Sequence, residues 1–216
     1  EGLLDSIRVD GKIYGVPMQK NLSRCGFSIR KDWLDNLGLE IPTTTDELFE
    51  IARAFTEDDP DGNGKDDTIG IYDRGFTDIN YTSFKNFTMY FGGVTGWGVD
   101  AKGNFHKQEE DPAWKEAMNF YKKLYDAGYV NQDFAIAQKK DQNEQFSRGY
   151  YGMMAASSIQ NMSSFERDAA KLGDESMDLT AVNKISSDGS NDYRVWTEGN
   201  GLNGMLAFPK SEVKDE

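Results

Sequence analysis

The segment Asp59-Pro60-Asp61-Gly62-Asn63-Gly64-Lys65-Asp66-Asp67 puts oxygen-bearing side chains at alternate positions, Asp59, Asp61 and Asn63, and again at Asp67. Gly64 follows the third of them. This spacing lets one tight turn wrap a hard cation in oxygens from neighbouring residues, and it is the pattern of an EF-hand calcium loop up to its ninth position. Asp59, Asp61, Asn63 and Asp67 would supply side-chain oxygens and Lys65 its backbone carbonyl, giving a structural Ca2+ site. The twelfth position, which in an EF-hand is a bidentate Glu, is Gly70 here. A helical pattern precedes the loop, and a β-like run, Thr68 to Tyr72, follows it. The loop is therefore read as grafted between a helix and a strand, not between two helices. The same residues also suit an Asx-rich surface turn without metal.

Other groups able to do chemistry carry less. His106 is the single histidine, set in Gly103-Asn104-Phe105-His106-Lys107. No nucleophile or orienting acid is paired with it in sequence, and no Gly-x-Ser-x-Gly elbow occurs. Glycoside cleavage needs two carboxylates across a cleft, but pairs such as Glu109 and Glu110 read as a solvated turn before a helix cap. Cys25 is the only cysteine, so no internal disulfide forms; beside a glycine it reads as a small buried residue. No Walker A or GxGxxG motif is present. No catalytic residue is assigned, and the chain is expected not to be an enzyme.

Composition narrows the partners. The chain has 216 residues and a formal charge of −13, so the phosphates of nucleic acid would be repelled. No apolar run approaches the ~20 residues of a membrane span. Aromatics are plentiful, with thirteen Phe, ten Tyr and four Trp; most are read as core, and a few such rings in a soluble protein are suited to flat amphipathic ligands such as sugars. The chain opens on Glu1 and stops in an acidic stretch, Glu212 to Glu216, so a piece of a longer protein is expected.

The elements that would position these groups follow from pattern and punctuation. A short strand over 12–17 ends at Pro17, and Gly26 to Ile29 alternates like a second strand. A helix over 31–37 stops at Gly38. Thr44 and Glu47 form a capping box, opening a helix with Leu48, Phe49, Ile51, Ala52 and Phe55 on its inner face. After the acidic loop come a strand at 69–72, a buried helix at 82–91 and a turn or hairpin at 96–103. Asp111 then caps the clearest helix, with Pro112 at its first position and Gly128 as its stop. Its apolar face is read as Trp114, Ala117, Met118, Tyr121, Leu124 and Tyr125. A helix at 138–148, a buried strand at 150–156, a polar helix at 158–172, a loop at 183–201 and a last strand at 206–209 complete the reading. Trp33 and Trp114 lie on amphipathic faces and are read as core. Strands separated by helices argue for an α/β fold with a partly parallel sheet.

Gly11-Lys12-Ile13-Tyr14-Gly15-Val16-Pro17, followed by Ile29-Arg30-Lys31-Asp32-Trp33-Leu34, resembles family 1 extracellular solute-binding proteins of ABC importers. So do Gly38-Leu39-Glu40-Ile41-Pro42-Thr43-Thr44, the Asp-Pro-Asp-Gly-Asn-Gly-Lys loop, Leu124-Tyr125-Asp126-Ala127-Gly128, and Phe146-Ser147-Arg148-Gly149-Tyr150-Tyr151-Gly152-Met153-Met154. The resemblance runs through nearly the whole chain in order. It is strongest to a subgroup of lipoprotein receptors and alginate-oligosaccharide receptors that hold a structural calcium in this loop; Thr68 departs from that pattern, where the alginate type has an acidic residue.

The resemblance implies a periplasmic-binding-protein-like fold of type II, two α/β lobes joined by hinge strands and closing on ligand. Residues 1–26 would end the first lobe and make the first crossing, 27–198 would be most of the second lobe, and 199–216 the truncated return crossing. By loop position it implies ligand contacts at Gln19, Asn21, Asp73, Arg74, Phe76, Tyr81, Ser157, Ser158, Gln160 and Asn161. Trp97 and Trp196, in Gly/Asn-rich contexts, could stack on a pyranose. The expected function is capture of a solute, an oligosaccharide by family, and delivery to ABC permease subunits. The protein would be a monomer, lipid-anchored at the cell surface in its full length. The rival readings are a fragment of a secreted carbohydrate-active enzyme with a structural calcium, and an adhesion module whose calcium loop stiffens a linker.

Overall fold

The computed structural model describes residues 2–19, 25–74, 83–156, 161–195 and 201–207. The chain divides into two compact units, one of Glu1–Ser23 with Thr197–Glu216, the other of Arg24–Trp196.

In the smaller unit, helix α1 (Gly2–Asp5) leads to β1 (Arg8–Val9) and β2 (Lys12–Ile13), paired antiparallel across Asp10-Gly11. Both turn residues have positive φ, 48° and 74°, as a two-residue hairpin turn of the Asp-Gly type requires. β3 (Val16–Gln19) pairs antiparallel with β10 (Leu202–Leu206). Pro17, read from sequence as a strand end, instead sits inside β3 opposite Met205. A two-stranded ribbon leaves each strand a free edge, where a residue without N–H is tolerated. The last strand also lies earlier than expected, at 202–206, with a register shift between Leu202 and Gly204. Phe208 and Pro209 are outside the described residues.

The larger unit is built on a mixed sheet with strand order β5-β8-β4-β9, formed by β4 (Gly26–Arg30), β5 (Ile69–Tyr72), β8 (Tyr151–Ala156) and β9 (Leu179–Val182). β5 runs parallel to β8, and β4 runs antiparallel to both β8 and β9. Alternate residues serve two layers. Phe27, Ile29, Ile71, Met153, Ala155 and Val182 belong to a large core with α2 (Lys31–Leu37), α3 (Thr45–Glu57), α4 (Ser83–Tyr90) and α5 (Pro112–Asp126). Met154 and Leu179 belong to a smaller core with Phe146 of α6 (Lys139–Ser147) and Phe165 and Ala169 of α7 (Met162–Lys171). Both faces of the sheet are thus covered, and every residue of β4 is buried. A short hairpin, β6 (Trp97–Val99) and β7 (Phe105–Lys107), lies between α4 and α5. The architecture is α/β.

Local chemistry sets the helix ends. Thr44 Oγ1 accepts from the Glu47 N–H at 3.1 Å, and Glu47 Oε2 accepts from the Thr44 N–H at 3.1 Å. The Thr43 N–H, the largest contribution, with the Thr43 hydroxyl and the Thr44 N–H, holds the Glu47 carboxyl below its usual range. Asp111 Oδ1 accepts from Ala113 N–H at 3.0 Å. On α5 the inner face includes Phe120, while Met118 is exposed, one step of the helix off the expected stripe. β9 escaped the sequence reading; Leu179-Thr180-Ala181-Val182 is only four residues long.

Candidate functional site

Two ends of the sheet carry the candidate residues. The loop before β5 lies at one end, with the end of β4 and the start of β8. The segments after β5 and after β8 leave from the opposite end, because these two strands are parallel.

At the first end, residues 59–67 fold around Asn63. Its N–H donates to Asp59 Oδ1 at 3.1 Å and to Asp61 Oδ1 at 3.2 Å. Its side-chain nitrogen donates to Asp61 Oδ2 at 2.8 Å and to Asp67 Oδ1 at 3.2 Å, and its Oδ1 accepts from the Lys65 N–H at 2.8 Å. Gly64 N–H donates to Asp59 Oδ2 at 3.0 Å. The turn needs left-handed backbone at Asp59, Gly62 and Gly64, with φ of 48°, 68° and 74°; glycine takes that conformation without strain. Asn36 of α2 donates to the Pro60 carbonyl at 3.0 Å and ties the loop to the core.

Asp59 and Asp61 therefore meet at the Asn63 backbone N–H, and Asp61 and Asp67 at its side-chain nitrogen. Burial, and then the Asp59 carboxyl and the negative charges of Asp67 and Asp59, raise the Asp61 carboxyl above its ordinary value. Among the described residues no three His, Cys, Asp or Glu side chains stand close enough to form a ready metal site. The Asn63 amide nitrogen lies between Asp61 and Asp67 where positive charge would be favoured. The donor set of hard oxygens fits calcium, and admitting the ion would require the Asn63 amide to turn its oxygen inward. The twelfth EF-hand position is closed sterically as well as chemically. A Cβ on Gly70 would lie 2.5 Å from the Ala52 carbonyl oxygen and 2.8 Å from its Cα. Thr68 is turned inward, its hydroxyl donating to the Phe55 carbonyl at 2.8 Å.

At the opposite end, Asp73 and Arg74 follow β5, and both are buried. Asp73 Oδ1 accepts from the Arg74 N–H at 2.9 Å and from the Ser83 N–H at 3.3 Å, at the start of α4. Burial raises its carboxyl above the ordinary value; burial, and then the Asp73 charge, raise the Tyr121 hydroxyl. Asn131 Oδ1 accepts from the Asp73 N–H at 2.7 Å, and Gln142 donates to the Tyr72 carbonyl at 3.2 Å. Tyr72 and Tyr151 meet edge to face at 4.6 Å. Burial, and then Asp133, push each hydroxyl up to about 12. Asn131 and Gln142 were missed in sequence; the only signal for Asn131 was its place after Tyr129-Val130.

Of the other sequence candidates, Asn161 is exposed just ahead of α7. Gln19 is exposed at the end of β3. Trp97 is 65% exposed on the β6–β7 hairpin, with Lys107 Nζ 5.8 Å from its ring centre. Asn21, Phe76, Tyr81, Ser157, Ser158, Gln160 and Trp196 lie outside the described residues. His106 sits 3.4 Å from the capping carboxylate of Asp111. Cys25 and Trp33 are buried, and Trp114 packs partly buried against the large core.

Comparison with known proteins gives a consistent set of similarities. Residues 1–199 match the family described as bacterial extracellular solute-binding protein. The chain is 44% identical over 211 residues to the polygalacturonan/rhamnogalacturonan-binding protein YtcQ of Bacillus subtilis (strain 168), covering 98% of this chain and 41% of that protein. It is 33% identical over 219 residues to lipoprotein LipO of the same organism, covering 100% of this chain and 42% of LipO. To the fructooligosaccharide ABC transporter substrate-binding protein FusA of Streptococcus pneumoniae serotype 4 it is 30% identical over 158 residues, covering 65% of this chain and 28% of FusA. The crystal structure of an extracellular solute-binding protein from Bifidobacterium longum subsp. infantis superposes with a TM-score of 0.69 at 26% identity, over 89% of this chain and 40% of that one. The chain spans about two fifths of the length of the first two of these relatives.

Proposed function

This chain belongs to the bacterial extracellular solute-binding proteins, and on that premise we propose that it is part of an oligosaccharide receptor that serves an ABC importer. The observation that carries the reading is the 44% identity to a polygalacturonan/rhamnogalacturonan-binding protein over 98% of the chain. Ligand contacts would come from the carboxyl-terminal ends of β5 and β8, the edge at which open α/β sheets bind small molecules. Asp73 and Asn131 hold the backbone after β5 in place. Arg74, Phe76 and Tyr81 belong to the segment after β5, and Asn161, an exposed amide, belongs with Ser157, Ser158 and Gln160 to the segment after β8. Gln19, Asn21, Trp97 and Trp196 complete the candidate set, the tryptophans by stacking on sugar faces. Capture is by hydrogen bonding and stacking, and no bond of the sugar is broken; the relatives are binding proteins. The receptor would sit at the cell surface, lipid-anchored in its full length as the name of LipO suggests for that relative, and hand its ligand to membrane permease subunits as a monomer.

The 59–67 loop is proposed to hold calcium through Asp59, Asp61, Asn63, the Lys65 carbonyl and Asp67, with water completing the shell. When bound, the ion would draw together and neutralise the carboxylates of Asp59, Asp61 and Asp67 and fix the entry to β5. A thermal-shift panel on the intact protein tests the receptor reading, using short oligogalacturonides, rhamnogalacturonan fragments and fructooligosaccharides, with the sugars analysed afterwards. Stabilisation by one class, recovered unchanged, is the expected result. Hydrolysed sugar would instead favour the carbohydrate-active enzyme.

A further inference from the structure

Asn63 precedes Gly64, and both are exposed. The Asp59 carboxylate straddles the peptide bond between them. Its Oδ1 accepts from the Asn63 N–H at 3.1 Å and its Oδ2 from the Gly64 N–H at 3.0 Å. Asn63 Oδ1 accepts from the Lys65 N–H at 2.8 Å. That bond, from a side-chain oxygen to the backbone two residues on, closes an Asx turn and folds the Asn63 side-chain carbonyl back over the Gly64 nitrogen. The Asn63 side-chain nitrogen is held by Asp61 Oδ2 at 2.8 Å and Asp67 Oδ1 at 3.2 Å. Gly64 has a φ of 74°, and a Cβ built on it would meet nothing within 4 Å, so the turn is open to water on that side. Asn36 pins the loop from α2 through the Pro60 carbonyl at 3.0 Å.

These are the parts of an intramolecular acyl transfer. The Gly64 nitrogen is the nucleophile, and Asp59 is within hydrogen-bond reach to take its proton. The Lys65 N–H lies where negative charge would develop on the Asn63 oxygen. We propose that Asn63 is a self-modification site, at which the chain converts its own amide to aspartate or isoaspartate. In the first step the Gly64 nitrogen, its proton passing to Asp59, bonds to Asn63 Cγ. The bond from Cγ to the amide nitrogen breaks, and that nitrogen leaves as ammonia with the proton Asp59 took. A succinimide ring remains. Water, the only other reactant, then adds to the ring. Opening at Cγ gives aspartate; opening at the backbone carbonyl gives isoaspartate, in which the main chain runs through the side chain. Either product alters the loop proposed for calcium. Aspartate adds a carboxylate beside Asp59, Asp61 and Asp67, and isoaspartate lengthens the turn by a methylene. The modification itself depends neither on the receptor reading nor on the ion.

The test is incubation of the intact protein in EDTA, near neutral pH, in 18O-labelled water. Peptide mapping by mass spectrometry reads each site separately, because Asn200-Gly201 and Asn203-Gly204 carry the same dipeptide. Asn63 is expected to lose its amide, take up solvent oxygen and yield both aspartate and isoaspartate. Its rate is expected to exceed that of a free peptide of residues 57–69 by about tenfold or more, a modest share of the roughly 100- to 10,000-fold that a positioned acid or base supplies. Asp59→Asn places an amide before Pro60, which has no N–H to attack with, so it creates no new reactive pair; it should bring the rate down to that of the peptide. Asp66→Asn makes the same change of charge within the loop and should leave the rate unaltered. Conversion no faster in the parent chain than in the peptide would overturn the proposal. Equal rates in the parent and Asp59→Asn, or an equal fall in Asp66→Asn, would overturn the assignment of Asp59 as the base.

Discussion

Sequence spacing alone would suggest that Gly70→Glu improves calcium binding, since it restores the twelfth EF-hand ligand. The structure predicts the opposite. The Cβ of any residue at 70 would stand 2.5 Å from the Ala52 carbonyl oxygen and 2.8 Å from the Ala52 Cα. Both are backbone atoms of α3 and cannot swing aside. The strand is fixed at the same place by the Gly70 N–H to Thr56 Oγ1 bond at 2.9 Å and by Thr68 on the Phe55 carbonyl. Relief therefore means moving β5 away from α3, through a contact that includes the fully buried Phe55 and Ile71. Overpacking a core typically costs 1–3 kcal/mol, and backbone clashes sit at the upper end, about 3 kcal/mol. At roughly 2–4 °C per kcal/mol for a chain of this size, the melting temperature should fall by about 6–12 °C in Gly70→Ala and further in Gly70→Glu. Thermal unfolding of parent and variants, each in EDTA and in excess calcium, measures this. A Gly70→Glu protein that melts within a degree or two of the parent and gains more from calcium would refute the placement of Gly70 against α3.

Calcium at about a hundred times its Kd should stabilise the chain by about 2.7 kcal/mol, a rise of roughly 5–10 °C that magnesium does not reproduce; Asp59→Asn with Asp61→Asn should abolish it. The same carboxyl sets a pH dependence. Asp61 is held above its ordinary value in the fold, so its contribution to stability is present below the unfolded carboxylate pKa of about 3.9 and is lost as pH rises through the folded one. In EDTA, the melting temperature of the parent minus that of Asp61→Asn should therefore decline across that window, and a flat difference would count against the burial and the Asp59 and Asp67 charges that raise this carboxyl. Thr44→Ala, which removes the cap of α3, should cost about 1 kcal/mol, read as a urea midpoint shift with an unchanged slope.

What was legible in the sequence was what short-range chemistry decides. The Thr44–Glu47 box, Asp111 with Pro112, and the Gly38 stop each bind or free a backbone group within a few residues, and the helices begin and end there. The Asx-rich turn at Asp59–Asp67 was legible for the same reason, since its side chains answer one another within a few positions; its calcium is a proposal. What depends on the third dimension was not. Asp73 looks like a polar loop residue, but its carboxylate is taken up by the N–H groups of Arg74 and Ser83. The partner that orders its backbone, Asn131, lies far along the chain. Gly70 reads as a missing ligand until Ala52 is seen against it. Met118 and Phe120 fit a helical stripe almost equally well, and only packing against α4 favours Phe120, whose ring lies 5.0 Å from Phe87.

On the proposed function, the intact protein binds an oligosaccharide without altering it. Calorimetric titration of the intact protein with purified oligogalacturonide, followed by chromatography of the recovered sugar, tests it most directly. Saturable binding and sugar recovered at its original length are the expected result. Shortened products, or no heat with any oligosaccharide of the panel, would contradict it.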